Sequence, residues 1–376
     1  MKPVRALLCL AAVTIAAALN LNAQVPRSKH VIVVNLENHS YESVIGNPAM
    51  PYLNSLASKY ALATQYYATT HTSLTALMWL TAGAPVTYND QSTATFNVDN
   101  IVRHIMPSGQ TWKSYAEAMP YAGYLGLYSG PYYKRHNPLA YFSDVANSSG
   151  ERLNLVPMVP NLKNDLAAGA LPNYAWIVPD IDMDAHNGTL ATADQWLQAH
   201  IPQVLANPQF QKDGIMFITW DEGDLKDSRH GGGRVATIVI GPRVKRGYKS
   251  TVFYNHQSLL RTTCLALGLN GCPGGGATGV PMRDFFTATS TMPTVTIQAP
   301  AAGTTTGSPV RVQAYASDKN PVTTMAVYID YKLAYKSSGG KVDAYLTVAS
   351  GAHTLTVNAW DTAGACFRAT EKFTAR

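Results

Sequence analysis

The stretch His30–Leu36 (HVIVVNL) runs directly into Glu37-Asn38-His39-Ser40. An unbroken apolar run of this length reads as a strand covered on both faces, the habit of parallel α/β sheets. Two further stretches repeat the design. Ile215–Trp220 (IMFITW) runs into Asp221-Glu222-Gly223-Asp224, and Tyr174–Val178 (YAWIV) into Pro179-Asp180-Ile181-Asp182-Met183-Asp184-Ala185-His186. In such sheets ligands bind at the carboxyl ends of the strands. Three strands are therefore expected to deliver Glu, Asn, Asp and His to one edge, the ligand set of a hard divalent cation. That chemistry points towards hydrolysis.

Around these strands, helical and strand-like segments alternate from about residue 28 to residue 288. Met50–Ala61 is amphipathic, and Thr72–Ala82 (TSLTALMWLTA) starts a helix behind a Thr/Ser cap. Gln110–Ala118 reads as a strand and helix start. Thr192–Ala206 carries Trp196, Leu197, Ile201 and Val204 at helical spacing. Val235–Ile240 (VATIVI) is another buried strand, and Ser258–Leu267 a helix that Gly268 stops. The order predicts a three-layer α/β/α domain over 28–288. Near Ser290 the pattern changes. Thr294–Ile297, Val310–Ala316, Met325–Ile329, Ala344–Val348 and Thr354–Trp360 alternate apolar and polar residues between Gly, Pro, Ser and Asp clusters. A small antiparallel β-sandwich over 293–376 follows, with Thr287–Pro293 as the linker and Gly303–Pro309 as a loop inside the sandwich.

Charged residues make up only 14% of the 376-residue chain and apolar ones 46%, which excludes a disordered protein. The formal net charge of +6 is mild and no run of like charges concentrates it. Nucleic-acid binding is therefore not expected, whereas attraction to phosphorylated substrates is. Met1–Ala23 has Lys2 and Arg5, then an apolar run from Ala6 to Leu19, and reads as a secretory signal peptide cut after Ala23. The expected mature protein is secreted or periplasmic, with no stable membrane insertion. An oxidising compartment permits a disulfide, and Cys264 and Cys272 could close a short loop. Cys366 is left over and reads as a buried thiol in a strand.

The carboxylate pairs Glu37-Asn38 and Asp221-Glu222 are the candidate cation ligands, since adjacent acids at a strand end repel unless solvated or neutralised. Thr69-Thr70-His71-Thr72-Ser73 precedes a helix, where backbone N–H groups favour phosphate. Its hydroxyls are candidate nucleophiles, with simple N-capping as the competing reading. Tyr133-Lys134-Arg135-His136-Asn137-Pro138 groups a histidine with two cations. His186 closes the third acidic edge, where Asp182 and Asp184 equally suit turn capping. His230-Gly231-Gly232-Gly233-Arg234 lets backbone approach a ligand closely. His256 reads as a structural tie.

Taken in order, six pieces resemble one family: ENHSY at Glu37–Tyr41, HTSL at His71–Leu74, KRHNP at Lys134–Pro138, DAH at Asp184–His186, WDE at Trp220–Glu222 and YNHQSLLRT at Tyr254–Thr262. They resemble the phosphoesterases that include bacterial and fungal acid phosphatases and non-haemolytic phospholipases C. The resemblance covers about Lys29–Phe286 and implies an alkaline-phosphatase-like α/β fold. It implies metal ligation of one divalent cation (calcium, magnesium, manganese or zinc) by Glu37, Asn38, Asp221 and Glu222, with Ser73 as both ligand and nucleophile. His71, His136 and His186 would stabilise charge or protonate the leaving alcohol, and Lys134, Arg135 and His230 would bind substrate. The chain departs from the family pattern where Thr72 and Thr75 replace prolines and Ala76 replaces an asparagine that helps hold the phosphoryl group. Thr72 thereby becomes an alternative nucleophile. The expected activity is hydrolysis of phosphate monoesters. A phospholipase C-type diesterase and a binding protein with a degenerate site are the alternatives. The sandwich lies outside this resemblance and reads as an immunoglobulin-like accessory domain, with Tyr315, Tyr328, Tyr331, Tyr335 and Trp360 available for a surface or glycan contact.

Overall fold

A computed structural model describes residues 24–287, 293–318 and 320–376, which form two compact units, Met1–Thr287 and Ala288–Arg376. The signal-peptide reading of Met1–Ala23 and most of the Thr287–Pro293 linker lie outside the described residues.

The first unit is built on an eight-stranded sheet: β1 (Val31–Leu36), β2 (Ala61–Ala63), β3 (Trp112–Ala116), β4 (Leu155–Pro157), β5 (Tyr174–Val178), β6 (Ile215–Trp220), β7 (Thr237–Ile240) and β8 (Tyr248–Ser250). Their order is β8-β2-β7-β6-β1-β5-β3-β4. Every residue of β1, β5 and β6 is buried, so both faces of the sheet are covered, as their unbroken apolar runs require. The three lie side by side and parallel, with β1 between β5 and β6. Leu36 pairs with Trp220, so Glu37 and Asp221 leave the sheet next to each other. Helix α1 (Pro51–Lys59) packs against α3 (Leu190–Leu205), and α2 (Ser73–Thr81) against α4 (His256–Leu267).

Helix α2 is buried at every position but Trp79, an apolar cylinder that fixes Ser73 at the foot of the core. Asn255 caps α4 through a reciprocal bond with Ser258, and Gly268 ends it with φ 70°, a left-handed turn that glycine adopts without strain. The disulfide Cys264–Cys272 ties the last turn of α4 to the following loop across eight residues. Replacing both cysteines by serine is expected to cost about 2–3 kcal/mol by the loop-closure relation, read in a denaturant titration without reductant. An unchanged midpoint would contradict that.

One strand direction is new in this unit and one sequence expectation changes. β7 runs antiparallel to both β6 and β2, so the sheet is mixed. Apolar continuity reports burial on two faces and carries no direction. The chain turns back after β6 through the loop that bears Asp221 and Glu222 and lies beside its own strand. Gln110–Ala118 contains β3 but no helix start. The strand ends at Ala116, and Ala118 has φ 54°.

The second unit pairs a three-stranded sheet with a five-stranded one. The first holds Thr294–Ala299, Val310–Ser317 and Lys341–Leu346. The second holds Thr305–Thr306, Cys366–Ala375, Gly351–Asp361, Val322–Ile329 and Lys332–Ser338 in that order. Val312, Ala314, Met325, Val327, Val342, Leu355, Val357 and Phe373 make a separate core. Lys332–Ser338 and Cys366–Ala375 are strands beyond those expected from the sequence. The former is an edge strand exposed at nearly every position, and the latter carries Arg368, Glu371 and Lys372. Cys366 is exposed, a correction to the buried thiol expected from sequence, because it starts its strand on the outward side. Tyr315, Tyr331 and Tyr335 are exposed, while Tyr328 and Trp360 are half-buried.

Candidate active site

The carboxyl ends of β1, β5 and β6 converge on one polar cluster. Glu37 and Asp221 are fully buried and Glu222 nearly so. The Ser73 hydroxyl sits between two of them, its Oγ 3.0 Å from Glu37 Oε2 and 2.9 Å from Glu222 Oε1. Thr72 holds the N-cap position of α2, but its hydroxyl makes no capping bond. Asp90 takes that role, accepting from the Leu74 N–H at 2.9 Å, and Thr75 donates to the carbonyl of Thr87 in the same loop. Thr75 thus ties the helix to its neighbouring loop. Ala76 is fully buried within α2.

Asn38 adopts φ 55°, a left-handed conformation that asparagine tolerates better than most residues, and its N–H donates to Asp221 Oδ1 at 3.3 Å. Asn38 Oδ1 and Asp221 Oδ2 are buried and have no hydrogen-bond partner. Buried acceptors of this kind are costly unless something satisfies them. Burial drives the pKa of Glu37 and of Asp221 well above the ordinary carboxylate range, and neighbouring acids add to both. Glu222 is raised for the same first reason, offset by its bonds to Ser73 and His71. Two orphaned oxygens among three mutually repelling carboxylates fit a divalent cation.

The raised pKa values of Glu37, Asp221 and Glu222 contribute stability to the metal-free protein that is fully present below about pH 4, the ordinary carboxylate range. That stability is lost as pH climbs through the raised folded values. In excess chelator the melting temperature is therefore expected to fall from pH 5 to pH 8, and added divalent cation to narrow the difference. A melting temperature that rises over this range in chelator would contradict the reading.

Histidines brace the cluster. His71 lies between the loop and the cluster, with Nε2 2.8 Å from the Asp227 carbonyl and Nδ1 3.1 Å from Glu222 Oε2. His136 is 2% exposed; its Nε2 accepts from Arg135 Nε at 3.2 Å and lies 3.6 Å from Glu37 Oε2. In the neutral ring the proton is then on Nδ1, 2.8 Å from Asp184 Oδ2, an ion-pair contact without hydrogen-bond alignment. Asp184 also accepts from the His186 N–H at 2.8 Å and offers its carbonyl to the Glu37 N–H at 2.9 Å. It therefore does more than cap a turn, since it joins Glu37, His136 and His186. Arg135 Nη2 lies 3.4 Å from His186 Nε2, whose basicity burial lowers. Glu37, His136 and His186 bring ligand-type atoms within 4.8 Å of one another. His256 is fully buried; its Nε2 donates to the Asp221 carbonyl at 2.6 Å and its Nδ1 accepts from Tyr66. Burial lowers its pKa to about 4, as suits a neutral structural tie.

The other sequence candidates stand differently. Lys134 is buried with Nζ 4.1 Å from the centre of the Tyr141 ring, and burial lowers its pKa to about 8. His230 packs on Tyr67 and Phe253 at ring distances of 4.4 and 4.7 Å. The glycine run approaches protein backbone: a Cβ on Gly231 would stand 2.4 Å from the Thr69 carbonyl oxygen, and one on Gly232 2.3 Å from that of Thr70. Asp90 and Asp184 are site neighbours that sequence reasoning missed or left open. The DAH motif was the available signal for Asp184, and Asp90 lies in an irregular loop with none. An open cleft of about 820 Å³ runs from Asn38 and Glu222 past Leu225 and Lys226 to Arg229.

Residues 293–357 match the Bacterial Ig domain. A probable acid phosphatase of Kluyveromyces lactis is 30% identical over 244 residues, 62% of this chain and 56% of that protein. A phosphatidylinositol-3-phosphatase of Mycobacterium tuberculosis is 30% identical over 247 residues, 65% of this chain and 78% of that protein. The chain thus spans little more than half of the first relative. A lipoteichoic acid synthase structure from Listeria monocytogenes shares 11% identity, with TM-score 0.49 over 91% of this chain and 86% of that one. The family match runs over residues 47–269, from just past Glu37-Asn38 through Ser73, His136, His186 and Asp221-Glu222, and on that span the chain belongs to the Phosphoesterase family.

Proposed function

We propose that the first unit is an exported, cation-dependent phosphatase that hydrolyses phosphate monoesters through Ser73. One observation carries the reading: a buried serine hydroxyl at a helix N-terminus, held between Glu37 and Glu222 beside the unpartnered oxygens of Asn38 and Asp221. Glu37, Asn38, Asp221 and Glu222 would hold the cation, with Ser73 completing the set. When bound, a divalent cation lowers the pKa of a ligated hydroxyl and offsets charge on a phosphoryl oxygen. The two relatives named above are both phosphatases by name, which supports the same chemistry.

The chain's own groups supply the remainder. Glu37 and Glu222 fix Ser73 Oγ and accept its proton, and His71 keeps Glu222 in place. Oγ attacks phosphorus in line while the ester P–O bond breaks. Arg135, at the ring nitrogens of His136 and His186, places positive charge where the equatorial oxygens gather it. The departing alkoxide takes its proton from solvent water. Water then cleaves the Oγ–P bond and releases phosphate. The missing amide at Ala76 leaves this charge compensation to Arg135 and the histidines.

Export rests on the Met1–Ala23 segment and on the Cys264–Cys272 bridge, which suits an oxidising compartment. Among the described residues no helix is long and apolar enough to cross a membrane. The test is phosphate release from 4-nitrophenyl phosphate before and after chelation, beside a choline phosphodiester. Chelator-sensitive release from the monoester supports the proposal. Release from the diester alone would make the protein a phosphodiesterase. No release from either, by protein that binds a divalent cation, would make it a binding protein.

A further inference from the structure

Tyrosines crowd the segment before His136: Tyr121, Tyr124, Tyr128, Tyr132 and Tyr133. Tyr128–Ser129 and Tyr132–Tyr133 form a short hairpin in which Tyr128 pairs with Tyr133. Gly130, at φ 54°, makes the turn, and the Pro131 carbonyl accepts from Ile181 N–H at 3.1 Å. The hairpin is thereby fastened to the loop that carries Asp184 and His186. Tyr132 points inward and is buried, whereas Tyr128 is 65% exposed and Tyr133 half-buried.

A continuous line of contacts joins these rings to the reacting centre. The Tyr128 and Tyr133 ring centres are 6.2 Å apart. The Arg135 guanidinium lies 4.7 Å from the Tyr133 ring centre, and Arg135 reaches both histidine nitrogens. His136 in turn faces Glu37, which holds Ser73. The contacts run from Ser73 through Glu37, His136 and Arg135 to the Tyr133 ring, which puts the tyrosine wall on the histidine side of the reacting centre. Aromatic faces of this kind favour flat π-systems over flexible polyols, since stacking buries both faces at little entropic cost.

We propose that Tyr128 and Tyr133 form the leaving-group subsite and select phosphate monoesters whose alcohol carries a planar ring, aryl or nucleoside, over open-chain and simple sugar phosphates. The inference rests on the reading of Ser73 as the reacting centre.

The test compares kcat/KM for AMP and ribose 5-phosphate, which share the sugar phosphate and differ by the base, with 4-nitrophenyl phosphate and glycerol 2-phosphate as the aryl and polyol pair. Wild type is expected to favour the planar member of each pair about tenfold, and Tyr128→Ala to remove most of that preference. Tyr133→Ala should do the same and Tyr133→Phe should retain it. A larger loss with the aryl pair than with the nucleoside pair would identify the aryl ester as the fitted class, and the reverse the nucleoside. An unchanged ratio, or an equal fall for both members of each pair, would overturn the subsite. Should no ester turn over, the phosphatase reading fails. Calorimetric titration of AMP and ribose 5-phosphate then decides the subsite: tighter AMP binding lost in Tyr128→Ala supports it, and equal or absent binding overturns it.

Discussion

Ser73→Ala is expected to lower kcat for 4-nitrophenyl phosphate by at least about a thousandfold while leaving the protein folded. The hydroxyl is the one nucleophile-type group within hydrogen-bond distance of both Glu37 and Glu222 among the described residues. Removing Oγ takes away one of the proposed cation ligands but leaves Glu37, Asn38, Asp221, Glu222 and Arg135 where they stand, so binding persists and bond formation does not. The stability change should be small, about 1 kcal/mol, since one hydroxyl with two acceptors is lost from the first turn of a helix otherwise packed throughout. Thr72→Ala separates the competing nucleophile. The Thr72 hydroxyl makes no capping bond, and activity in this variant should stay within about threefold of wild type. Loss in Thr72→Ala with retention in Ser73→Ala would move the nucleophile by one residue.

The second large effect concerns Asp221. Asp221→Asn is expected to reduce phosphatase activity by about a hundredfold or more, and to raise the stability of the chelated protein by about 1–3 kcal/mol. The two signs follow from one cause. Asp221 is fully buried beside Glu37 and Glu222, and its charge is uncompensated until a cation is bound. An isosteric amide relieves the repulsion on the metal-free side and weakens ligation on the other. Thermal denaturation with and without divalent cation, for wild type and variant, reads both. Cation should stabilise wild type strongly and Asp221→Asn weakly. A variant less stable than wild type in chelator would mean that Asp221 is satisfied within the protein and that the cluster is not built for an ion.

Much of this was visible in the chain because strand-end chemistry is local. HVIVVNL and IMFITW declare their own burial, and the residues that follow must emerge at the sheet edge together once the strands pair in register. Ser73 was legible as a helix start. What sequence could not carry was direction and distance. VATIVI is as apolar as its neighbours yet runs the other way, since nothing in a doubly buried strand encodes polarity. Lys134 and Arg135 are adjacent in sequence but diverge, one under the Tyr141 ring and the other against the histidines. The three glycines looked like a ligand cradle, and the backbone they admit is that of Thr69–Thr70. Asp90, which caps α2, arrives from an irregular loop without periodicity. In the second unit Lys332–Ser338 is exposed at nearly every position and offers no apolar alternation, whereas Cys366–Ala375 does alternate, with Phe367, Ala369, Phe373 and Ala375 turned inward and Glu371 interrupting the series.

The central claim is that Ser73 Oγ becomes the phosphoryl acceptor. The direct measurement is acid quenching during turnover of a phosphate monoester, followed by mass analysis of the peptide that contains Thr72 and Ser73. The account predicts one phosphoryl group on Ser73, abolished by chelation and absent in Ser73→Ala. Steady phosphate release with no phosphorylated Ser73, or with the group on Thr72, would contradict it.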